Sequence, residues 1–480
     1  MTKSISSPMQ NQPSLKRLTI NLDDYTRFWE VNHFSFLWHD LFVYSVYKNF
    51  LIKGIMGFQE KKLLCICHKE NYSFYLKKDE LKKNKGRIID FFISSRYDTL
   101  VESIGKILAE NEQLPWKVQL NDWKGTFKYL SGKYTEASSY YFCTEAYYVD
   151  HIYDCLINSG FRKEELLEYS MPIKMATITR EQLEWYNLIL GKHGNSDIDR
   201  LIKEHFGRWK YIIASRDVNP YSIEKLHLRF NKDSKHIDAV KQAYREITNH
   251  FSNENIERII AGSKYTFDGC NYILMERLRE MSYLRFELRH VWMKTAYLLR
   301  TLLQGIFPKN DGVFGLSAYE ILNDDFDGCN DRKSYIYYAD GQKSLLFYNN
   351  TQKRVNFHDK DCQEEKNHIS GKISFGTDVY GYAYVLDNNI SLSDSSNCVN
   401  GDTILVLCQL CPEHVPLLSI CKGIVVDEGG IAGHASIIAR EMNKPAILGT
   451  INGTQRIRNN EYVYLDIGSN SVRRCCVQSG

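Results

Sequence analysis

The chain has 480 residues, of which 43% are apolar, and it carries 61 basic against 58 acidic side chains. That length exceeds one ordinary hydrophobic core, so roughly two to four domains are expected. The charge balance gives no support to a nucleic-acid partner, and no apolar run is long or pure enough to imply a membrane partner.

Residues 1–20 are polar and read as a flexible tail. They lack an apolar signal core, so a cytoplasmic location is expected. The 13 cysteines are scattered and odd in number, which fits reduced thiols. Residues 22–50 mix aromatic and polar residues at helical spacing, and residues 60–80 read as a short strand pair. Cys65, Cys67 and His68 alternate within that pair. A strand sends His68 to the opposite face from the two thiols, which is poor geometry for zinc. The lysines of 82–85 read as a solvated face.

Helices are expected over 95–112, 135–160, 180–192, 197–215, 222–230, 235–252 and 253–262. Thr179 and Gln182 have the spacing of a capping box, and Ser222 is a candidate N-cap. The clearest helix is 268–306. Leu284, Leu288, Val291, Ala296 and Leu299 lie near one stripe, Arg277, Arg279, Arg285 and Arg289 lie off it, and Gly305 and Pro308 end it. Residues 334–349 alternate around an Asp-Gly turn, which signals a hairpin. Polar, turn-rich sequence continues to about residue 370.

From 371 onward the order is strand, turn, strand, with strands expected at 382–386, 403–407, 424–426, 446–448 and 462–465 and a helix at 434–442. That order describes a compact α/β domain. Its centre is a buried strand, the turn Asp427-Glu428-Gly429-Gly430-Ile431-Ala432-Gly433, and a helix opening on His434. Backbone N–H groups at a helix start lack intrahelical acceptors and favour an anion such as phosphate. Gly429, Gly430 and Gly433 let the backbone approach closely, and Ala435 continues the first turn. A neutral imidazole is nucleophilic near pH 7, so His434 is the candidate to attack phosphorus and hold a phosphoryl group. Cys408, Cys411 and His414 have metal-like spacing, though tetrahedral zinc would still need a fourth ligand, with Cys421 the near candidate.

These residues resemble the phosphohistidine swivelling (mobile) domain of the phosphoenolpyruvate-utilising enzymes, as in phosphoenolpyruvate synthase, pyruvate phosphate dikinase and the rifampicin phosphotransferases. The resemblance runs through Gly429-Gly430, His434-Ala435, Ala439-Arg440-Glu441, Pro445-Ala446 and Gly449, and covers about 371–475. It implies that His434 is the phosphorylated residue and that 408–411 is ordinary strand and turn, so that no metal is expected there. One departure is Gly433, where the family places serine, threonine or cysteine. Arg440 lies about 240° around the helix from His434, and is read as structural or domain-docking.

The family's full-length enzymes load the histidine from an ATP-grasp domain, and no glycine-rich nucleotide loop is legible in 1–370. The resemblance therefore implies a separate ATP-grasp partner protein supplying ATP and Mg2+, with phosphoenolpyruvate as the alternative donor. Weaker similarity over 165–350 implies, by analogy with rifampicin phosphotransferases, that the helical region binds a small-molecule acceptor. Arg285, Arg289 and His205 are the candidate acceptor-site residues. The resulting expectation is a multidomain chain: a mainly α-helical region over 21–310, a connector with a β-hairpin over 311–370, and a C-terminal α/β swivelling phosphohistidine domain over 371–480. The competing reading is a non-catalytic phosphocarrier or scaffold.

Overall fold

The computed structural model describes residues 20–21, 24–31, 35–43, 45, 62–68, 71–114, 120–144, 146–191, 198–213, 222–235, 237–308, 311–326, 334–340, 343–348, 355–356, 368–386, 398–410, 414–427, 429, 434–450 and 452–475. They form a mainly helical N-terminal region followed by a C-terminal α/β region. The chain divides into two compact units, one of Met1–His151, Ala214–Pro220 and Glu287–Asp359, the other of Ile152–Ile213, Tyr221–Phe286 and Lys360–Gly480.

In the first unit the strands are β1 (Ile20–Asn21), β2 (Tyr25–Val31), β3 (Lys62–His68), β4 (Asn71–Lys77), β5 (Ser334–Asp340), β6 (Lys343–Tyr348) and β7 (Val355–Asn356). An antiparallel sheet has the order β2-β4-β3-β5-β6. The strand pair expected at 60–80 is β3 and β4, and the Asp-Gly hairpin is β5 and β6. The hairpin joins β3 across more than 260 residues of chain, a pairing that local periodicity does not encode. β4 buries Tyr72, Phe74 and Leu76 between half-buried neighbours, the alternation of a sheet with one face on the core.

Several local expectations are corrected. The aromatic segment 22–50 contains β2 as well as helical residues 36–43; its aromatic residues suit a pleated surface as well as a helix. The expected helix 135–160 is two, Trp123–Cys143 and Ala146–Asn158. A helix at Lys78–Ile93, not read from the sequence, carries Lys82, Lys83 and Lys85 on its exposed face. Thr179 lies inside the helix Thr177–Leu190, whose N-cap is Ala176 without a side-chain cap. Gln182 is wholly buried in that helix and caps nothing.

In the second unit, helices Lys163–Tyr169, Thr177–Leu190, Ile198–Ile213, Ile223–Asp233, Ile237–His250 and Asn253–Thr266 pack with the first part of the long helix Gly269–Ile306. Ser222 immediately precedes its helix, and its carbonyl accepts from the Leu226 amide. The C-terminal domain adds β8 (His368–Ser370), β9 (Ile373–Phe375), β10 (Val379–Val385), β11 (Thr403–Leu407), β12 (Gly423–Val426), β13 (Ala446–Leu448), β14 (Tyr462–Asp466) and β15 (Ser471–Arg474). Their order is β8-β15-β14-β10-β11-β12-β13-β9, with β10 to β13 parallel. Every residue of β11, β12 and β13 is buried, as both-face coverage of parallel strands requires.

β8 and β9 stand at opposite ends of that order, yet only Gly371 and Lys372 separate them in sequence. The Gly371 amide donates to Asn470 O at 2.7 Å and the Lys372 amide to Leu448 O at 2.8 Å. Two residues therefore step from one end of the sheet to the other, which brings the two end strands together. A Cβ at Gly371 would lie 2.5 Å from Ile447 Cγ2, so the step needs glycine. On the outer surface the exposed ring of Tyr380 on β10 stacks 4.3 Å from that of Tyr464 on β14.

Candidate functional site

The site is built at the carboxyl end of β12. That strand emerges from the core at Asp427, which is 8% exposed. Asp427 Oδ1 accepts from Thr450 Oγ1 at 2.7 Å and from the Gly453 amide at 2.5 Å. Its Oδ2 accepts from the Thr454 amide at 3.1 Å and from the Thr454 hydroxyl. A buried carboxylate is tolerated when its lone pairs are filled, and here four donors fill them. The group ties the end of β12 to the loop after β13 and caps the short helix Gly453–Arg456.

Two glycines allow the loops to meet above this anchor. Gly429 has φ 154°, and a Cβ there would lie 2.9 Å from Leu448 Cβ. Gly449 has φ 75°, and a Cβ there would lie 2.9 Å from Gly429 O. Neither position accepts a side chain without a shift.

The helix His434–Glu441 follows. Ala435, Ile438, Ala439 and Met442 are buried at the expected spacing and fix the helix by its apolar face. His434 is its first residue, at the end where partial positive charge and unpaired amides gather. The expected phosphate-loop residues Gly430 and Gly433, and the imidazole of His434, lie outside the described residues; Gly429 and Ala435 lie within them, on either side.

Arg440 lies in the last turn of that helix. Its Nε donates to Ser436 O at 3.0 Å, and its Nη1 donates to Leu167 O at 2.5 Å and to Ser170 Oγ at 3.1 Å. That is the docking role read from its helical angle. The helix Ile237–His250 packs against both Val415–Ile420 and His434–Glu441.

The candidate acceptor residues are His205, Arg285 and Arg289, each in its own surroundings. His205 is fully buried, with Nε2 3.0 Å from Glu181 Oε1 and Nδ1 3.3 Å from Glu184 Oε1. Its ring lies 5.2 Å from Trp185, whose Nε1 donates to Asp233 Oδ2 at 2.9 Å. Arg285 and Arg289 are half-buried on the long helix, and the division between the two units falls between them. Among the described residues no three His, Cys, Asp or Glu side chains are grouped to hold a metal. Cys65 and Cys67 are buried on β3, where burial pushes the Cys65 thiol well up. Burial pushes the Cys421 thiol up to about 12, and Cys411 lies outside the described residues. No described helix is long and apolar enough to cross a membrane.

Sequence reasoning missed Asp427. Its signal was present: an acidic residue ending an all-apolar strand immediately before a glycine turn has to find donors nearby.

With this geometry established, the class of the domain follows. Residues 399–470 match the model of the PEP-utilising enzyme mobile domain, and the chain carries that domain over them. The phosphoenolpyruvate-protein phosphotransferase of Buchnera aphidicola subsp. Schizaphis graminum is 36% identical over 86 residues, which are 18% of this chain and 15% of that protein. The probable phosphoenolpyruvate synthase of Methanothermobacter thermautotrophicus is 40% identical over 63 residues, 13% of this chain and 9% of that protein. The uncharacterized phosphotransferase YvkC of Bacillus subtilis is 34% identical over 114 residues, 24% of this chain and 13% of that protein. The chain thus spans a small part, 15% or less, of the length of each of these relatives.

Proposed function

We propose that this chain is a phosphotransferase component that carries a phosphoryl group on His434. A ring nitrogen of His434 attacks phosphorus of the donor; the N–P bond forms as the donor's bridging P–O bond breaks, and the donor leaves with that electron pair. In the second half-reaction an acceptor oxygen attacks phosphorus, the N–P bond breaks, and the imidazole is regenerated. The helix start holds the transferred charge, and the Asp427 anchor keeps the loop in place while it turns over. The observation that carries this reading is the mobile-domain match together with His434 as the first residue of a helix anchored on that domain's core.

The donor in this reading is ATP, with its Mg2+ held by a separate ATP-grasp protein; phosphoenolpyruvate is the alternative. The acceptor is a small molecule bound by the helical region. Arg285 and Arg289, four residues apart on one helix, are the side chains suited to clamp its phosphate or carboxylate. His205, enclosed by two carboxylates, is left with a packing role.

The experiment supplies ATP labelled in the β- or γ-phosphate with an ATP-grasp partner, and labelled phosphoenolpyruvate in a parallel arm. Label that is acid-labile and base-stable on the chain, and lost completely in His434→Ala, is the expected result. No label from either donor would sink the proposal.

A second reading is a phosphocarrier whose acceptor is another protein. It draws support from the burial of His205 and from the name of the Buchnera relative, a phosphotransferase acting on protein. Chasing labelled chain into separated small-molecule and protein fractions decides between the two.

A further inference from the structure

The helix Lys163–Tyr169 carries a charge in the wrong place for its own stability. Lys163 is its first residue, where the backbone already supplies partial positive charge. Burial also pushes its ammonium below the ordinary lysine range. Glu164 and Glu165 in the first turn offset part of this cost. The lysine is oriented toward the C-terminal domain: Nζ donates to Ser374 Oγ at 2.6 Å and to Asn470 Oδ1 at 2.8 Å. Ser374 is wholly buried on β9, and Asn470 closes the turn into β15 with φ 52°.

The other end of the same helix is held by Arg440. Its guanidinium meets Leu167 O and Ser170 Oγ, where terminal carbonyls lack helical partners and favour a cation. The bond from Arg440 Nε to Ser436 O lays the side chain along the helix that begins at His434. A seven-residue helix is therefore gripped at both ends by two separate parts of the histidine-bearing domain. The pair Arg258–Glu168 on the same helix is different in kind: both side chains are substantially exposed, and such pairs contribute little.

We propose that helix Lys163–Tyr169 is a clasp for the phosphohistidine domain, and that Lys163 and Arg440 are positioning residues that set where His434 stands while the domain is docked. The clasp stands on these contacts alone; its consequence for transfer rests on the reading of His434 as the phosphoryl carrier. The contacts belong to the docked state only, so weakening them shifts population toward the released one.

The test uses the full chain with Lys163→Met, which keeps the aliphatic stem, and Arg440→Lys, which keeps the charge but loses the planar fork. By hydrogen–deuterium exchange, amides of 163–169, β9 and 434–441 are expected to exchange about tenfold faster in each variant, with β11 and β12 unchanged. A response confined to 163–169, or none, would overturn the clasp. Ser374→Ala and Ser170→Ala each remove one of the two partners of a cation without touching the cation, and serve with a smaller expected response if the first variants fold poorly. With labelled donor, loading of His434 and onward transfer are expected to change in opposite directions, about threefold each, as a shift between docked and released states requires when the two half-reactions use different states. Equal losses in both half-reactions would overturn the positioning role. An intact exchange response with no label on His434 would leave the clasp standing and remove the phosphoryl reading.

Discussion

The C-terminal domain and the helices of 152–286 bury polar groups in opposite ways. At the end of β12 one carboxylate, Asp427, is surrounded by four donors supplied by Thr450, Gly453 and Thr454. Among the helices, Glu181, His205, Arg229 and Asp233 are all buried; His205 reaches Glu181 at 3.0 Å and Trp185 donates to Asp233 at 2.9 Å, but the arginine contacts are longer. Arg229 stands 3.7 Å from Glu181 and 3.5 Å from Asp233. Glu181 Oε2 and both ends of the Gln182 amide have no hydrogen-bond partner among the described residues. A satisfied buried network rigidifies, and a partly satisfied one costs stability. The domain that would carry a phosphoryl group is thus the tightly specified one, and the helices are the region where sequence could change with gain.

The largest effect should come from breaking the satisfied side. Asp427→Ala strands four donors and is expected to cost about 2–4 kcal/mol, read by denaturant unfolding of the full chain. If phosphoryl labelling of His434 is observed, it should fall with it. A loss under 1 kcal/mol would equate the two regions and end the contrast.

A smaller effect comes from His250, whose Nε2 lies 2.9 Å from Pro172 O. Burial pulls its imidazole below the ordinary range and outweighs the opposing pull of that bond, and the cations Arg440 and Arg258 add smaller pulls in the same direction as burial. A histidine with a depressed folded value stays neutral in the fold while the unfolded chain takes up a proton. Stability is therefore full above about pH 6.5 and falls as pH drops toward the folded value, by at most about 1.4 kcal/mol per pH unit. His250→Gln should flatten that part of the stability–pH curve, and an unchanged slope would show that another group controls it.

The smallest change is on the unsatisfied side. Gln182→Leu replaces a buried amide without described partners by an apolar group of similar size. It is expected to be neutral or to stabilise by about 1 kcal/mol, measured by the same unfolding curve. Clear destabilisation would mean that the amide is paired after all.

Much of the C-terminal domain was legible because its signals are local. The strand Gly423–Val426 is an apolar run ended by Asp427 and glycines, and the helix from His434 has its buried positions at spacings of three and four. The long helix and the Asp-Gly hairpin were legible for the same reason. Helix Lys78–Ile93 was missed because its lysines drew the eye to charge, and its apolar positions Ile88, Phe91 and Phe92 cluster near one end. The pairing of β3 with β5 left no local trace. His205 looked available in sequence; its enclosure by Glu181 and Glu184 depends on a second helix that spacing alone does not place beside it.

The two-residue step through Gly371 has a consequence for how this domain meets other molecules. The two end strands, β8 and β9, are three residues each and run into one another through Gly371 and Lys372, so each leaves only a short edge on which a foreign strand could be laid. Edges that short give little purchase for strand addition, so a molecule meeting this domain finds mainly loops, helix ends and the tyrosine-bearing outer surface. If the domain leaves its clasp as proposed, rims this short limit strand exchange with another copy.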